Sequence, residues 1–304
     1  MKKAVSVSLG SPDRDKTVTV QLGDTEVQVQ RIGTNGDMEK AAELLRQFDE
    51  DETVHALGVG GTNLGAYLDD VYYPYRCIAP MVRYVKTTPL VDGSGLKRII
   101  EADMAKSIEN DQGLNNFIQE KGRRVFVVCG VDRWEMTMSF INAKYDYLLG
   151  DFMFALQMNI PIRRLGVARV LAKILVPLTT RFFPFEWLYP TGEQQNQRVP
   201  KYEEHYQWAT VIAGDCHYIK QHMPDKLVDK VIVTNTTTSK DVDDFRKAGV
   251  KYLVTSTPTW EGRSFGTNVL EAAITAIEGR QLELEELRTT VAKLGLKPHI
   301  QVLN

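Results

Sequence analysis

The sequence lacks the features that mark several common classes of protein. It has three cysteines in 304 residues, and they are far apart with no CxxC pair. A disulfide framework or a zinc site is therefore not expected, and a reducing compartment fits. No apolar run reaches the roughly 18 to 20 residues of a membrane-spanning helix. We expect a cytoplasmic protein with no membrane partner and no bound metal.

An excess of charge of one sign is also missing. The chain has 37 Lys and Arg against 39 Asp and Glu, so a nucleic-acid partner is not expected. It contains no P-loop, G-x-S-x-G, H-E-x-x-H or EF-hand pattern, which disfavours an NTPase, a serine hydrolase and a zinc protease. With 43% hydrophobic residues, the chain is long enough for two domains with cores of their own.

The stretch 122–151 predicts a strand, a tight turn, a helix and a second strand. Residues 123–129 have a basic start followed by an apolar, β-branched run, which is typical of a strand buried on both faces of a parallel sheet, and Gly130 ends the run. Asp151 follows the second strand about 20 residues later, where a dinucleotide site has the carboxylate that binds ribose. The G-x-G-x-x-G pattern is absent, and Asp132 stands where a pyrophosphate would approach.

Three residues of this stretch are candidate cofactor contacts beside Gly130. Asp151 on a ribose would favour NAD over NADP, because a 2′-phosphate would meet its negative charge. The alternative for Asp151 is a strand-end acid in a turn. Asp132 and Arg133 can form an ion pair, or Asp132 can be an acid at the N-terminus of the helix. Arg133 can instead reach a phosphate, which would offset the missing glycines.

Strands and helices go on alternating along the chain, which predicts an open parallel sheet. The patterns also predict a hairpin of strands 17–22 and 26–32 around Gly23, a helix at 96–108, and strands at 146–149 and 252–255. Ligands of open parallel sheets lie beyond the carboxyl ends of the strands. Polar tips follow five predicted strands: 130–133, 150–151, 214–215, 235–238 and 256–258. Five polar tips on one edge are more than packing requires. We expect Asn235, Thr236 and Thr237 to line a cofactor crevice.

Three segments resemble the shikimate/quinate dehydrogenase family. VDGSG at residues 91–95 is similar to the family's N-T-D-x-x-G motif, with Asp92 in the place of the catalytic acid. NTTT at residues 235–238 is similar to the N-A-T or N-T-T element after a strand of the nucleotide domain. GTNVLE at residues 266–271 is similar to the G-x-x-M-L helix, without the family's glutamine. Nearly the whole chain is similar to proteins labelled quinate 5-dehydrogenase.

The resemblance implies an α/β fold of two α/β domains, of which the C-terminal one is a Rossmann-like doubly wound parallel sheet. Residues 1–115 would form the substrate domain and residues 116–262 the nucleotide-binding domain. Residues 263–304 would return as helices to the first domain. The implied enzyme is an NAD- or NADP-dependent oxidoreductase of a hydroxylated carboxylic acid such as quinate or shikimate, with hydride transfer in the cleft between domains.

A dehydrogenase of this type needs a base for the hydroxyl proton. The family's N-V-T-x-P-x-K element, which supplies a catalytic lysine, has no match, and Lys86 is the nearest lysine before Asp92. We expect these two residues to form the catalytic pair, in which the carboxylate orients the ammonium group. The alternative is that Asp92 only caps the helix after it.

Further candidates are substrate contacts. Asn63 ends a glycine turn that can cradle a ligand or only turn the chain. Ser94 belongs to the VDGSG segment. Arg263, before a helix, suits a carboxylate ligand or pairs with Glu261.

Asp215 and His217 form a D-x-H at a strand tip. They can act as an acid-oriented general base or as half of a metal site. The other histidines show no ligand spacing, so a polar strand end is the favoured interpretation. A weaker hypothesis is an enzyme with different chemistry built around this pair.

Two further segments have open interpretations. Residues 163–176 predict a basic amphipathic helix, which can lie on a membrane, although packing against the core is favoured. FFPFEWLYP at residues 182–190 is a packed connection, a pocket wall or the contact of a homodimer.

Two functional hypotheses follow for the whole chain. The favoured one is an enzyme, the NAD(P)-dependent oxidoreductase. The other is a binding protein that senses a small anion on a dehydrogenase-like fold. The missing glycines and the missing lysine element support the second.

Overall fold

The computed structural model describes residues 1–184, 198–257, 259–260, 263–264 and 266–304, and the side chains of residues 258–265 lie outside that description. Two units form the chain. Unit 1 comprises Met1–Ile99, Lys173–Gln195 and Gly266–Leu296, and unit 2 comprises Ile100–Ala172, Asn196–Phe265 and Lys297–Asn304. Both units are mixed α/β, as predicted.

The elements of the described residues alternate along most of the chain. The strands are β1 (Lys2–Ser8), β2 (Lys16–Leu22), β3 (Thr25–Gly33), β4 (Ala56–Gly60), β5 (Gly65–Leu68), β6 (Val71–Pro74), β7 (Leu90–Val91), β8 (Arg124–Val127), β9 (Asp146–Leu149), β10 (Val211–Ala213), β11 (Val231–Thr234), β12 (Tyr252–Thr255), β13 (Thr259–Trp260), β14 (Arg263–Ser264) and β15 (His299–Val302). The helices are α1 (Met38–Asp49), α2 (Ala79–Val82), α3 (Ser94–Ala102), α4 (Met104–Asn110), α5 (Gln112–Lys121), α6 (Trp134–Asn142), α7 (Asp151–Leu156), α8 (Leu165–Phe182), α9 (Glu203–Trp208), α10 (Cys216–His222), α11 (Ser239–Lys247), α12 (Thr267–Glu278) and α13 (Leu284–Lys293).

Unit 1 is built on a five-stranded sheet in the order β2-β3-β1-β4-β7. β1, β3, β4 and β7 are parallel, and β2 pairs antiparallel with β3 through the predicted hairpin. Its turn needs Gly23, whose φ of +58° is a left-handed conformation that glycine adopts without steric cost. Val5, Val7 and Leu57 of this sheet are buried in one hydrophobic core.

Helix α12 packs closely on this sheet because the strand beneath it carries glycines. A Cβ atom on Gly60 would lie 2.7 Å from the side-chain nitrogen of Asn268, and one on Gly58 would lie 3.0 Å from its carbonyl oxygen. The Asn268 amide donates a hydrogen bond of 2.6 Å to the Ser6 hydroxyl of β1. Residues 266–296 are therefore part of unit 1.

Unit 2 has a six-stranded sheet in the order β9-β8-β10-β11-β12-β15. The first five strands are parallel and β15 is antiparallel. Numbered within the unit, the order is 2-1-3-4-5-6, a common doubly wound order that differs from the dinucleotide-binding order 3-2-1-4-5-6. The chain leaves β8 towards β9 on one side and returns to β10 on the other. The crevice of this topology therefore lies at the carboxyl ends of β8 and β10.

The structure differs from the sequence expectations at several boundaries. The helix predicted from residue 96 to 108 is interrupted at Asp103, which separates α3 from α4. The strand β15 and the helix α5 were not predicted. The units divide near residues 99 and 265, whereas the expected domains divide near 115 and 262.

Candidate functional site

The predicted polar edge of unit 2 exists, and its centre is the side chain of Arg133. Strand β8 ends at Val127, and residues 128–133 form a turn that leads into α6. Arg133 is the residue before this helix and is buried, although it carries a full positive charge. A buried guanidinium requires charged partners close by, because removing an ion from water costs on the order of several kcal/mol.

Three carboxylates surround the Arg133 guanidinium. Its Nη1 donates to Glu101 Oε1 at 2.7 Å, and its Nη2 donates to Asp215 Oδ2 at 2.6 Å. Its Nε lies 3.2 Å from Asp132 Oδ2. With one cation and three carboxylates, this Arg133 cluster has a formal charge of −2.

Asp215 is held from several directions at the tip of β10. Its Oδ1 accepts the backbone amide of His217, so it caps α10, and its Oδ2 accepts the side-chain amide of Asn235 at 2.8 Å. Asn235 in turn accepts the Cys216 amide through its Oδ1. The tips of β10 and β11 are thus joined by side chains, as the predicted sheet edge requires.

The cluster favours the charged forms of Arg133 and Asp215. Burial alone would lower the pKa of Arg133, but Glu101, Asp215 and Asp132 together raise it. Burial alone would raise the pKa of Asp215, but Arg133 and His217 outweigh burial and hold that pKa below its ordinary value. Arg133 is therefore a charge already neutralised by the protein. Two of its five N–H groups donate to Glu101 and Asp215, and its Nε lies beside Asp132, so a phosphate that approached Arg133 would also meet these carboxylates.

The predicted ribose carboxylate, Asp151, lies beside the same turn. It is only 4% exposed. Its Oδ2 accepts the amide of Gly130 at 3.1 Å and its Oδ1 accepts the amide of Val131 at 2.8 Å. A Cβ atom on Gly130 would lie 3.1 Å from Asp151 Oδ2, so glycine allows this close approach.

Asp151 occupies the backbone amides of the turn that a dinucleotide would approach. The Gly130 carbonyl also accepts a hydrogen bond, from the Thr137 hydroxyl at 3.0 Å. Burial raises the pKa of Asp151 above its ordinary value, against the opposing effect of the Val131 and Gly130 amides. Burial likewise raises the pKa of the neighbouring Cys129 thiol, which is therefore not an activated nucleophile.

The structure brings nine of the predicted residues together in unit 2. They are Gly130, Asp132, Arg133, Asp151, Asp215, His217, Asn235, Thr236 and Thr237, which all lie at the carboxyl ends of β8, β9, β10 and β11. Their assignment to a cofactor or a substrate stays a prediction. In the described part of the chain, no group of three His, Cys, Asp or Glu side chains is arranged to hold a metal ion.

A second group of predicted residues lies in unit 1, at the ends of β4 and β7. Asp92 Oδ2 accepts the amide of Leu64 at 2.6 Å, and its Oδ1 accepts the amide of Ser94 at 2.9 Å. Asn63 precedes Leu64 and is half-buried. Asp92 therefore joins the two strand tips and caps the turn into α3, which is the alternative role considered for it above.

The predicted pair of Lys86 and Asp92 is not formed. Lys86 is exposed, and its backbone amide donates to Asp49 at 2.8 Å. Among the described residues, no ion pair links the Lys86 ammonium group to Asp92. The catalytic role of both stays a prediction without a contact between them. The side chain of Arg263 and the part of the aromatic segment beyond residue 184 lie outside the described residues.

Two buried glutamates were missed by the sequence interpretation. Glu101 is fully buried in the last turn of α3, and only one of its oxygens has a partner among the described residues. Glu271 of α12 accepts the Leu96 amide at 2.7 Å. Burial raises the pKa of Glu271 to about 8, although the Leu96 amide acts in the opposite direction. Glu271 appeared in the sequence only as part of a motif, and nothing marked Glu101.

Two family models match the chain. The model of the family described as a domain of unknown function, DUF8754, matches residues 95–303, which is more than half of the chain. The chain belongs to this family. A second family, described as a domain of unknown function, DUF8753, matches residues 3–92. No curated protein matches the chain.

Three solved structures are distantly similar. A galactofuranose binding protein is 12% identical, with 98% of this chain and 94% of that chain covered and a TM-score of 0.37. An NAD-dependent malic enzyme from Thermotoga maritima is 13% identical, with coverages of 96% and 77% and a TM-score of 0.39. A Mycobacterium smegmatis protein in complex with β-D-fucofuranose is 11% identical, with coverages of 100% and 92% and a TM-score of 0.36. At these low TM-scores, none of the three carries an argument about this chain.

Proposed function

We propose that the chain is a binding protein for a small, uncharged, hydroxyl-rich ligand at the carboxyl edge of the unit 2 sheet. The observation that carries this proposal is the Arg133 cluster, in which three carboxylates enclose one guanidinium. The formal charge of −2 repels an anionic ligand such as a phosphate or a carboxylate. Hydroxyl groups, in contrast, both donate to carboxylates and accept from amides.

The groups around the cluster suit this chemistry. Asp132 is exposed, and His217, Asn235 and Thr236 are half-buried at the tips of neighbouring strands. They offer a carboxylate, an imidazole, an amide and a hydroxyl. The hydroxyl groups of a polyol can form hydrogen bonds with all four, because each hydroxyl both donates and accepts. The sequence favoured an anion for a binding protein, and the charge of the cluster favours an uncharged ligand instead.

The test is isothermal titration calorimetry with myo-inositol, D-ribose, quinate and inorganic phosphate. We expect saturable binding of an uncharged polyol and none of phosphate. Asp132→Ala should weaken the polyol roughly tenfold or more, since a hydrogen bond to a charged group contributes about 1.5–3 kcal/mol. The matched control is Asp146→Ala, an exposed acid at the amino end of β9. Equal effects of the two variants, or binding of the anions alone, would overturn the proposal.

A second candidate is the NAD- or NADP-dependent oxidoreductase of a hydroxylated carboxylic acid such as quinate or shikimate. The position of Asp151 favours it, because this carboxylate follows β9 about 20 residues after the Gly130 turn, where a dinucleotide site has its ribose-binding acid. The occupied amides of that turn and the separation of Lys86 from Asp92 count against it. A homodimer and a cytoplasmic location stay predictions.

A further inference from the structure

Helix α8 exposes one row of apolar side chains. Val167, Val170, Ile174, Leu178 and Phe182 are exposed, at spacings of three and four residues that place them along one face. The buried residues of the helix are Ala168, Ala172, Val176 and Thr180, and Leu165, Leu171 and Leu175 are half-buried. The expected amphipathic helix therefore has a second apolar side, which is exposed.

The segment before the helix also exposes apolar side chains, which are Leu156, Met158 and Ile160. Scattered apolar side chains are normal on a surface, but a row of five along one face of a helix marks an interaction surface.

The charge of this region is positive throughout. Between residues 152 and 184 the sequence has five Lys or Arg and no Asp or Glu, in a chain whose net charge is −2. The five are Arg163, Arg164, Arg169, Lys173 and Arg181, and all are exposed. No described carboxylate forms an ion pair with Arg164, Arg169 or Lys173. The 3.6-residue helical repeat places Arg164 and Arg181 at the edges of the stripe and Arg169 and Lys173 on the other side of the helix. The stripe together with Arg164 and Arg181 forms what we call the α8 face.

We propose that the α8 face binds an anionic lipid surface, with the helix lying in the plane of the membrane interface. An exposed apolar stripe with arginines at its edges is the pattern of such helices, which bury the apolar side and place the cations near lipid phosphates. A contact with a second copy through the same face would bring Arg164 and Arg181 of the two chains to one interface, which like-charge repulsion opposes. This proposal departs from the expectation of no membrane partner.

Binding at the interface fits the length and polarity of the helix. In the described part of the chain, no helix is long and apolar enough to cross a membrane. Pro177 lies inside α8, and Arg181 and Lys173 interrupt its apolar character. The face therefore suits a reversible contact with a surface.

The test is co-sedimentation of the full chain with phosphatidylcholine vesicles that contain or lack phosphatidylglycerol. We expect sedimentation with the phosphatidylglycerol vesicles only. It should decrease in about 1 M salt, where the screening length falls to about 3 Å. Arg164→Gln with Arg181→Gln should lower the partition coefficient roughly 25-fold, since each cation near an anionic surface contributes about fivefold.

A matched pair of variants separates the stripe from apolar surface in general. Val170→Ser with Ile174→Ser removes side chains that are 60% and 61% exposed, and Val228→Ser with Val302→Ser removes side chains that are 60% and 59% exposed elsewhere. We expect at least a roughly tenfold loss from the first pair and no change from the second. Equal vesicle binding of the two pairs would overturn the proposal. So would a wild-type chain that ignores vesicles but forms a dimer in sedimentation velocity that the first pair dissociates.

Discussion

Arg133 is the single side chain on which the electrostatics of the unit 2 edge depend. We expect Arg133→Met to lower the free energy of unfolding by about 3–5 kcal/mol, because Glu101 and Asp215 would be left buried without their cation. Urea denaturation followed by circular dichroism measures this change. The matched control is Arg246→Met, which breaks the exposed pair of Arg246 with Asp243 and should change stability little. Equal losses in the two variants would show that Arg133 is not a buried structural charge.

Glu271 makes stability depend on pH in a direction that is unusual for a carboxyl group. Its folded pKa of about 8 lies above its ordinary value of 4.5. Between these values the folded chain keeps a proton that the unfolded chain has lost, so stability falls as pH rises from about 4.5 to about 8.

The substitution Glu271→Gln tests this dependence. The glutamine side chain retains an oxygen for the Leu96 amide and does not titrate. Between pH 5 and pH 8 the stability of the wild type should fall relative to the variant, by at most about 1.4 kcal/mol per pH unit. Thermal or urea denaturation across this range gives both profiles. Parallel profiles would mean that Glu271 is ionised in the folded chain at neutral pH.

Among the elements, the turn between β8 and α6 depends on one acid, Asp151, which is the first residue of α7. Asp151→Ala would remove the acceptor of the buried Gly130 amide and of the Val131 amide, at a cost of about 1–3 kcal/mol. Asp151→Asn keeps one acceptor oxygen and should cost less. Hydrogen exchange at Gly130 and Val131 should become faster in the alanine variant than in the asparagine one. Equal exchange in both variants would contradict the role assigned to Asp151.

Local sequence patterns predicted the elements well where they are periodic and bounded by turn residues. The bounds of β9 and β12 were predicted to the residue, and the hairpin of β2 and β3 formed around Gly23 as expected. The strand β15 was not predicted, because it is an exposed four-residue edge strand that pairs only with β12. Such a strand has little apolar periodicity of its own, and its partner is distant in the sequence.

For the molecule as a whole, the α/β class and the polar edge of unit 2 could be predicted, but the chemistry of that edge could not. Arg133 meets Glu101 across 32 residues and Asp215 across 82 residues. No local sequence pattern shows which residues meet across such separations, so from the sequence Arg133 could still bind a phosphate. The strand order was equally hidden, since a parallel sheet of alternating units fits both doubly wound orders.

The most direct test of this account is a titration of NAD and NADP against intrinsic tryptophan fluorescence. Trp134 is buried next to Arg133 at the start of α6 and reports on the crevice between β8 and β10. Because the Arg133 cluster and the occupied amides of the Gly130 turn disfavour a pyrophosphate, we predict no saturable change with either cofactor at millimolar concentration. Saturable binding of NAD that Asp151→Ala weakens would contradict the account and establish the dehydrogenase alternative in its place.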